Sequence, residues 1–151
     1  MEKIHKLTEK TGIMLWKTSS LWQNVLRSSL KKFSLTLNEF ILLETILELS
    51  RNNKEISQVD VSSACGVDIS VVSTVLKILN SKKFIKRKTA YDNRKRILEL
   101  TPDAITLLNR ILPITQALEK KLFEKLGREE INFSNSLRLI LGKKIRVKAE
   151  K

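Results

Sequence analysis

The sequence predicts a mainly α-helical fold with a small two-stranded β-wing, in a single domain over residues 1–151. Three observations predict this fold. Apolar residues recur at intervals of three, four and seven along several segments, which is the period of amphipathic helices. Two short helical segments flank Gly66, and such a pair is the pattern of a helix-turn-helix. Between Phe84 and Leu100 the period changes to one that favours two strands joined by a polar hairpin.

The first two helices have recognisable ends. Apolar residues over 7–33 follow one helical face, and we expect this helix to end in a loop around Ser34. Thr36 and Glu39 have the spacing of a reciprocal capping box. A second helix is therefore predicted over about 37–50.

The helix-turn-helix comes next. Residues 55–56 are predicted to form a short strand, and Ser57 is predicted to cap a short helix that ends at Gly66. Asp68 is predicted to cap another helix that runs to about Lys82. In DNA-binding proteins of this pattern the second helix is the recognition helix.

The remaining elements are the wing and two further helices. Strands are predicted over 84–88 and 97–100, and the pair 101–102 combines a helix cap with a proline in the first turn. We expect the fifth helix to run to Leu126 and to stop at Gly127. A sixth helix follows it.

Charge is the most unusual feature of the composition. The chain carries 29 Lys and Arg against 16 Asp and Glu, a formal net charge of +13. Such a charge favours a polyanionic partner, either nucleic acid or an anionic membrane surface. No apolar run approaches the roughly 18 residues of a membrane span, and the N-terminus lacks the pattern of a signal peptide. We therefore expect a cytoplasmic protein. A membrane-surface partner is disfavoured as well, because no predicted helix pairs a basic face with an exposed Trp-rich one.

Catalysis is disfavoured by a shortage of suitable residues. His5 and Cys65 are the only histidine and cysteine, and the four glycines are too scattered for a phosphate-binding loop. We expect no enzyme activity, no metal site and no cofactor. For Cys65, packing in the core is favoured over redox sensing.

Three segments in this order resemble one family of regulators. LTLNEF begins the second helix, ISQVDVSSACGVDISVVSTVLKILNSKKFIKRK forms the helix-turn-helix, and YDNRKRILELTP forms the wing. Over Leu35–Leu108 the chain resembles the MarR (multiple antibiotic resistance regulator) family of bacterial winged helix-turn-helix transcription regulators. The resemblance implies a DNA-binding lobe over 35–101 and dimerisation helices over 1–34 and 102–151. These helices also carry more apolar surface than one small domain can cover, which favours a homodimer.

The resemblance implies a sequence-specific transcriptional regulator, and we expect a repressor. Two recognition helices of a homodimer would enter successive major grooves of a pseudo-palindromic operator in double-stranded DNA. A small aromatic or amphipathic effector is expected between the dimerisation helices and the lobe. Candidate pocket residues are Trp16, Trp22 and Phe40, with core or dimer packing as the alternative for the two tryptophans.

The helix-turn-helix supplies the first group of candidate DNA contacts. Residues near the start of a recognition helix reach base edges, and the amides at the start of the preceding helix suit a phosphate. Helix capping is the alternative role for the serines at both helix starts. Thr74 occupies a position where many relatives carry arginine, so readout is expected to rely more on DNA shape and A·T-rich sequence. The candidates are Ser57, Gln58, Ser70, Val71, Ser73, Thr74 and Lys77.

The wing supplies the second group. Eight basic residues and one acid, Asp92, lie between Lys82 and Arg96. The resemblance implies that Asp92 orients Arg94 into the minor groove, and Lys83 occupies a position where relatives commonly have a glycine. The candidate wing contacts are Lys86, Lys88, Arg94, Lys95 and Arg96.

A different kind of function remains open at this stage. A winged-helix module of the same pattern could bind protein or RNA instead of operator DNA. The wing arginine and the polar recognition face both favour duplex DNA. A competition between duplex DNA, structured RNA and heparin would separate these functions.

Overall fold

The computed structural model describes residues 2–52, 55–89 and 96–146, with side chains described from Lys10 onward. These residues form a mainly α-helical fold with one antiparallel two-stranded sheet, so the predicted fold class is confirmed. The elements are α1 (Glu2–Leu30), α2 (Leu37–Asn52), α3 (Gln58–Cys65), α4 (Ile69–Ser81), β1 (Ile85–Thr89), β2 (Arg96–Leu100), α5 (Pro102–Phe123) and α6 (Glu130–Ile140). Short 3₁₀ segments follow α1 at Lys31–Phe33 and α5 at Glu124–Glu129.

Side-chain caps define where the helices begin. The Thr36 hydroxyl accepts a hydrogen bond from the Glu39 amide at 3.2 Å, and the Glu39 carboxylate accepts one from the Thr36 amide at 3.2 Å. Ser57 and Asp60 form the same reciprocal box at the start of α3. These pairs satisfy amides that have no partner within the helix. The predicted caps are therefore confirmed.

The turn between α3 and α4 depends on a glycine. Gly66 has a φ of 74°, in the left-handed region where a Cβ is disfavoured, and its amide donates to the Ser62 carbonyl at 2.9 Å.

Within the described ranges no single helix is long and apolar enough to cross a membrane. Only α3 and α4 taken together pass that test, by length and composition, and they are bent by 117°.

The wing is a regular antiparallel pair. Ile85 pairs with Leu100 and Thr89 pairs with Arg96, so the strands are in register along their whole length. The expected third strand at 55–56 is wrong: the Leu98 amide donates to the Ile56 carbonyl at 2.8 Å, but residues 55–57 form no regular strand. One hydrogen bond does not make a ladder, which needs repeated pairing along both chains. The hairpin tip at 90–95 lies outside the described residues.

Residues 1–115 form one compact unit with its own hydrophobic core. Buried side chains of α1, α2, α4 and α5 meet there, and the inner faces of α3 and the wing complete it. Because α4 contributes four buried residues to this core, its opposite face is left towards solvent. Side chains that are fully buried in this core include Leu30, Leu42, Leu43, Ile46, Val61, Val72, Leu76, Leu79, Leu108 and Ile111.

Residues 116–151 form a second compact unit. The Phe123 and Phe133 rings lie 6.0 Å apart between centroids. The chain changes direction at Gly127, which has a φ of 55° and a ψ of −122°. The fifth helix was expected to reach Leu126, but it ends at Phe123 and continues as 3₁₀ turns. That a single domain spans residues 1–151 stays a prediction.

Candidate nucleic-acid interface

The exposed face of α4 carries most of the candidates that the sequence placed on the recognition helix. Val72, Val75, Leu76 and Leu79 face the core, while Ser70, Val71, Thr74 and Lys77 are exposed and Ser73 is half-buried. The 3.6-residue period of the helix produces this division. The structure therefore brings four of the five predicted residues onto one accessible face.

Two hydroxyls on this face already have acceptors for their protons. The Ser70 hydroxyl donates to the Asp68 carboxylate, which also accepts from the Ser70 amide at 2.8 Å. The Thr74 hydroxyl donates to the Ser70 carbonyl at 3.1 Å. In these rotamers both oxygens can accept a hydrogen bond but cannot donate one to phosphate. They suit amino groups on base edges, such as N6 of adenine or N4 of cytosine.

Asp68 holds the first turn of α4 in place. The hydrogen bond from the Ser70 hydroxyl, followed by the one from the Ser70 amide, holds the pKa of the Asp68 carboxyl below its ordinary value. A carboxylate at a helix N-terminus is also stabilised by the helix dipole. Capping is thus one role of Ser70.

An apolar stripe crosses the same face. Val71 and Ile78 are both exposed and lie seven residues apart, so they share one side of the helix. Val71 was among the candidate DNA contacts predicted from the sequence, and Ile78 was not. The seven-residue spacing is the signal that could have found it.

The start of α3 is occupied by its own carboxylate. The Asp60 carboxylate accepts from the Ser57 amide and from the Ser57 hydroxyl, both at 2.8 Å. A negative charge at this position competes with phosphate for the same amides. Ser57 and the half-buried Gln58 remain candidates only if the Asp60 side chain moves on binding.

The wing divides into two faces. Lys86 and Lys88 are exposed on one face, and the Lys88 ammonium lies 2.6 Å from Glu99 on the neighbouring strand. This pair holds the pKa of the Glu99 carboxyl below its ordinary value. Because both side chains are exposed, the pair contributes little stability and Lys88 can exchange its partner for phosphate.

Arg87 lies on the opposite face, next to the core residues Ile85 and Leu98. Its Nε and Nη2 atoms are buried and have no hydrogen-bond partner among the described residues. Arg96 is exposed at the start of β2. Asp92, Arg94 and Lys95 lie outside the described residues, so their roles stay predictions.

One basic residue of the wing segment has a role that the sequence did not reveal. The Lys82 ammonium lies 3.0 and 2.9 Å from the two carboxylate oxygens of Glu39, and 2.9 Å from the Ser34 carbonyl. Glu39 is 3% exposed. Its capping role was predicted, but its partner 43 residues away was not.

The candidate effector residues differ in exposure. Trp16 is 73% exposed on α1, Trp22 packs half-buried against the core, and Phe40 is 3% exposed inside it. A cavity of about 400 Å³ lies between the end of α2 and β2, and it is lined by none of the three. Across the described part of the chain, no three His, Cys, Asp or Glu side chains are placed to hold a metal ion.

Comparison with known proteins adds relatives in sequence and in fold. No family model matches the chain. It is 29% identical over 131 residues to the uncharacterized HTH-type transcriptional regulator YdcH of Bacillus subtilis strain 168, an alignment that covers 86% of this chain and 88% of the relative.

Three solved structures illustrate the similarity in fold. MarR from Oenococcus oeni is 27% identical with a TM-score of 0.68, over 87% of this chain and 98% of its own. BpsR of Bordetella bronchiseptica, whose DNA binding is regulated by 6-hydroxynicotinic acid, is 22% identical with a TM-score of 0.79, over 91% and 97%. MepR of Staphylococcus aureus in complex with DNA is 20% identical with a TM-score of 0.78, over 90% and 97%.

These similarities extend over most of each chain. The resemblance that the sequence showed is confirmed: the structural neighbours are MarR-family regulators, and the relative in sequence is an HTH-type transcriptional regulator.

Proposed function

We propose that this chain, which has the fold of the MarR-family regulators, is a sequence-specific double-stranded-DNA-binding transcriptional regulator. The observation that carries the proposal is the exposed face of α4 beside a basic wing, in a chain of net charge +13. A polar and apolar helix face suits base edges in the major groove, and lysines on a hairpin suit phosphate. MepR was solved with DNA, and its fold is that of this chain.

Base contacts are assigned to the exposed side of α4. Ser70 and Thr74 accept from base amino groups, Val71 packs against thymine methyls, and Ser73 and Lys77 contact bases or phosphates. Ile78 extends the apolar stripe. Because no arginine stands on this face to read guanine with two hydrogen bonds, the preferred site is rich in A·T pairs.

Phosphate and minor-groove contacts are assigned to the wing. Lys86, Lys88, Lys95 and Arg96 neutralise phosphates. By the MarR resemblance, Arg94 enters the minor groove and Asp92 holds its guanidinium in position. Arg94→Ala is expected to weaken binding to a selected site by about 1–3 kcal/mol per subunit and to lower the salt slope by roughly 1.

The regulator acts as a homodimer on a pseudo-palindromic site in the bacterial cytoplasm, and we propose repression as its mode of action. The apolar residues of α1 and α6 that lie exposed in one chain support pairing. Those on α1 include Ile13, Met14, Leu15 and Trp16, and those of the second unit include Ile131, Leu139, Ile140 and Leu141.

A small aromatic or amphipathic effector releases the DNA. The DNA binding of BpsR is regulated by 6-hydroxynicotinic acid, and CouR of Rhodococcus jostii, another protein of similar fold, was solved with p-coumaroyl-CoA. Trp16 and Trp22 both lie on α1, so their fluorescence would report a ligand that binds beside this helix. A tryptophan emission that stays constant across phenolic acids and lipophilic cations would count against this effector.

The test of the proposed function is an equilibrium competition. Labelled duplex DNA is bound by the full chain and then displaced by unlabelled duplex, structured RNA or heparin at fixed salt. Duplex DNA is expected to compete best at equal phosphate concentration. Equal displacement by RNA would favour the alternative module that binds RNA or protein, and equal displacement by heparin would reduce the interface to a nonspecific basic surface.

A further inference from the structure

We infer that the Lys82–Glu39 ion pair is a positioning element that sets the angle of the recognition helix and so determines sequence selectivity, without contacting DNA. The inference rests on the proposed function and concerns the same surface. A lysine ammonium has three N–H donors, and here three acceptors surround it. They are both carboxylate oxygens of Glu39 and the Ser34 carbonyl, at 2.9–3.0 Å.

Lys82 therefore has no free donor for a phosphate in this conformation. Its side chain is 34% exposed, whereas Lys86 and Lys88 stand exposed on the wing nearby in sequence. The Glu39 carboxylate is nearly inaccessible and also accepts from the Thr36 amide. Releasing Lys82 to DNA would leave a buried carboxylate without its counter-charge, which is costly.

The ion pair joins two helix ends. Lys82 is the C-cap of α4, and Glu39 lies in the first turn of α2. A cation suits the C-terminal end of a helix and an anion suits the N-terminal end, so each charge is also stabilised by its own helix dipole. The Ser34 carbonyl adds the connection between α1 and α2. The C-terminal end of the recognition helix is thus tied to two other elements at one point.

Because α4 is long, a small tilt about its C-terminal end displaces the residues at its N-terminal end by a larger distance. A helix of 13 residues is about 20 Å long, so a tilt of about 5° about its C-terminus moves its first residues by roughly 1.7 Å. Ser70 and Val71, the candidate base contacts, lie at that far end. Contacts to base edges tolerate displacements of only about 0.5 Å. Phosphate contacts from flexible lysines are less affected.

Burial of the Glu39 carboxylate, in a pair whose lysine side chain is 34% exposed, favours a role in specificity. Desolvation offsets most of the Coulombic gain, so exchanging both partners for neutral groups of similar shape costs little stability, while removing one partner costs much more. The informative variant is therefore the double replacement Glu39→Gln with Lys82→Met. Glutamine keeps the capping box with Thr36, and the net charge stays at +13 because one acid and one base are lost together.

The experiment titrates wild type, Glu39→Gln/Lys82→Met and the control Lys86→Met against a selected duplex and its scrambled version at several salt concentrations. For the double variant we expect binding to the selected duplex to weaken about tenfold, with scrambled binding and salt slope unchanged. Lys86→Met should weaken both duplexes alike and lower the slope by roughly 1. The single variant Lys82→Arg keeps the positive charge beside Glu39. It should therefore lose less selectivity between the two duplexes than the double variant does.

Three outcomes overturn the inference. In the first, the double variant keeps full selectivity. In the second, it weakens both duplexes together with a lower slope, which would make Lys82 a phosphate contact. In the third, it fails to fold, which would make the pair a stability element. A wild-type protein without any preference between the two duplexes would instead contradict the proposed function, and the inference with it.

Discussion

Lys83 follows α4 with a φ of 61°, a conformation in which glycine is favoured. Its amide donates to the Asn80 carbonyl and the Phe84 amide donates to the Leu79 carbonyl, both at 3.0 Å, which is a Schellman motif. By the MarR resemblance, glycine is the residue expected at this position. The lysine thus accepts backbone strain to complete a C-cap that glycine would complete without it.

Lys83→Gly is expected to raise the free energy of unfolding by about 0.5–1 kcal/mol. Relief of the left-handed strain, about 1–2 kcal/mol, exceeds the backbone entropy that glycine loses on folding. Urea denaturation measures the difference. The matched control is Lys77→Gly on an exposed turn inside α4, which should lower stability by about 1 kcal/mol. A loss of stability at both positions would contradict the account of the cap.

Asp68 gives the protein an acid-sensitive contribution. Its pKa is depressed in the folded state, chiefly by the Ser70 hydroxyl, so the unfolded chain takes up the proton first as the pH falls. The cap should contribute fully above the ordinary carboxyl pKa of about 4 and be lost as the pH drops through the lower folded-state value. Asp68→Asn should flatten the stability profile between pH 5 and pH 2. An unchanged profile would show that the cap is not coupled to protonation.

Residue-level predictions succeeded where partners are close in sequence. The Thr36–Glu39 and Ser57–Asp60 pairs are three residues apart, so capping rules find them without knowledge of the fold. Lys82 and Glu39 are 43 residues apart, and only the packing of α4 against α2 brings them together. The sequence could not therefore show that Lys82 is paired with Glu39 and is not free to contact phosphate.

Among the elements, helix ends that carry a capping signal were predicted well. The short strand and the helix end that lack such a signal were not. The strand expected at 55–56 is reduced to one hydrogen bond to β2, because a two-residue segment cannot make a repeated ladder. The end of α5 was placed three residues too late. The helix gives way to 3₁₀ turns before Gly127, a change that a glycine signal alone does not reveal.

The wing offers a test of how its charges are used. Glu99→Gln removes the partner of Lys88 and an acid from the predicted DNA face. We expect DNA affinity to rise severalfold for selected and scrambled duplexes alike, with the salt slope increased by up to about 1. Titration at two or more salt concentrations gives both values.

The control for this prediction is Glu48→Gln on α2. Glu48 is also exposed and also paired with a cation, Arg51, but lies outside the predicted interface. Glu48→Gln raises the net charge by the same amount as Glu99→Gln, and it should change the DNA affinity much less. Equal gains from both variants would mean that the net charge alone, rather than the wing, governs binding.

At the scale of the whole molecule, the second unit is expected to hold the dimer together. Truncation after Gly127 removes the apolar residues of α6 and should abolish dimers or solubility. Ile140→Lys is a milder change, because Ile140 is 77% exposed in the single chain and a charge there disturbs only an interface. Analytical ultracentrifugation should show a shift towards monomer.

Val59→Lys is the matched control for the dimer prediction. Val59 is 63% exposed on α3, outside the predicted dimerisation helices, so the same charge there should leave the sedimentation unchanged. A truncated chain that still sediments as a dimer and melts at the same temperature would contradict the assignment of the dimer to this region.

The most direct test of the central claim is selection of bound sequences from a random duplex library by the full chain. We expect an A·T-rich pseudo-palindrome with half-sites about 10–10.5 base pairs apart, or a multiple of that spacing. We also expect binding at least about 10³-fold weaker to a scrambled duplex. A library that yields no consensus after repeated rounds, with scrambled and selected duplexes bound equally, would contradict the claim that α4 and the wing read DNA sequence.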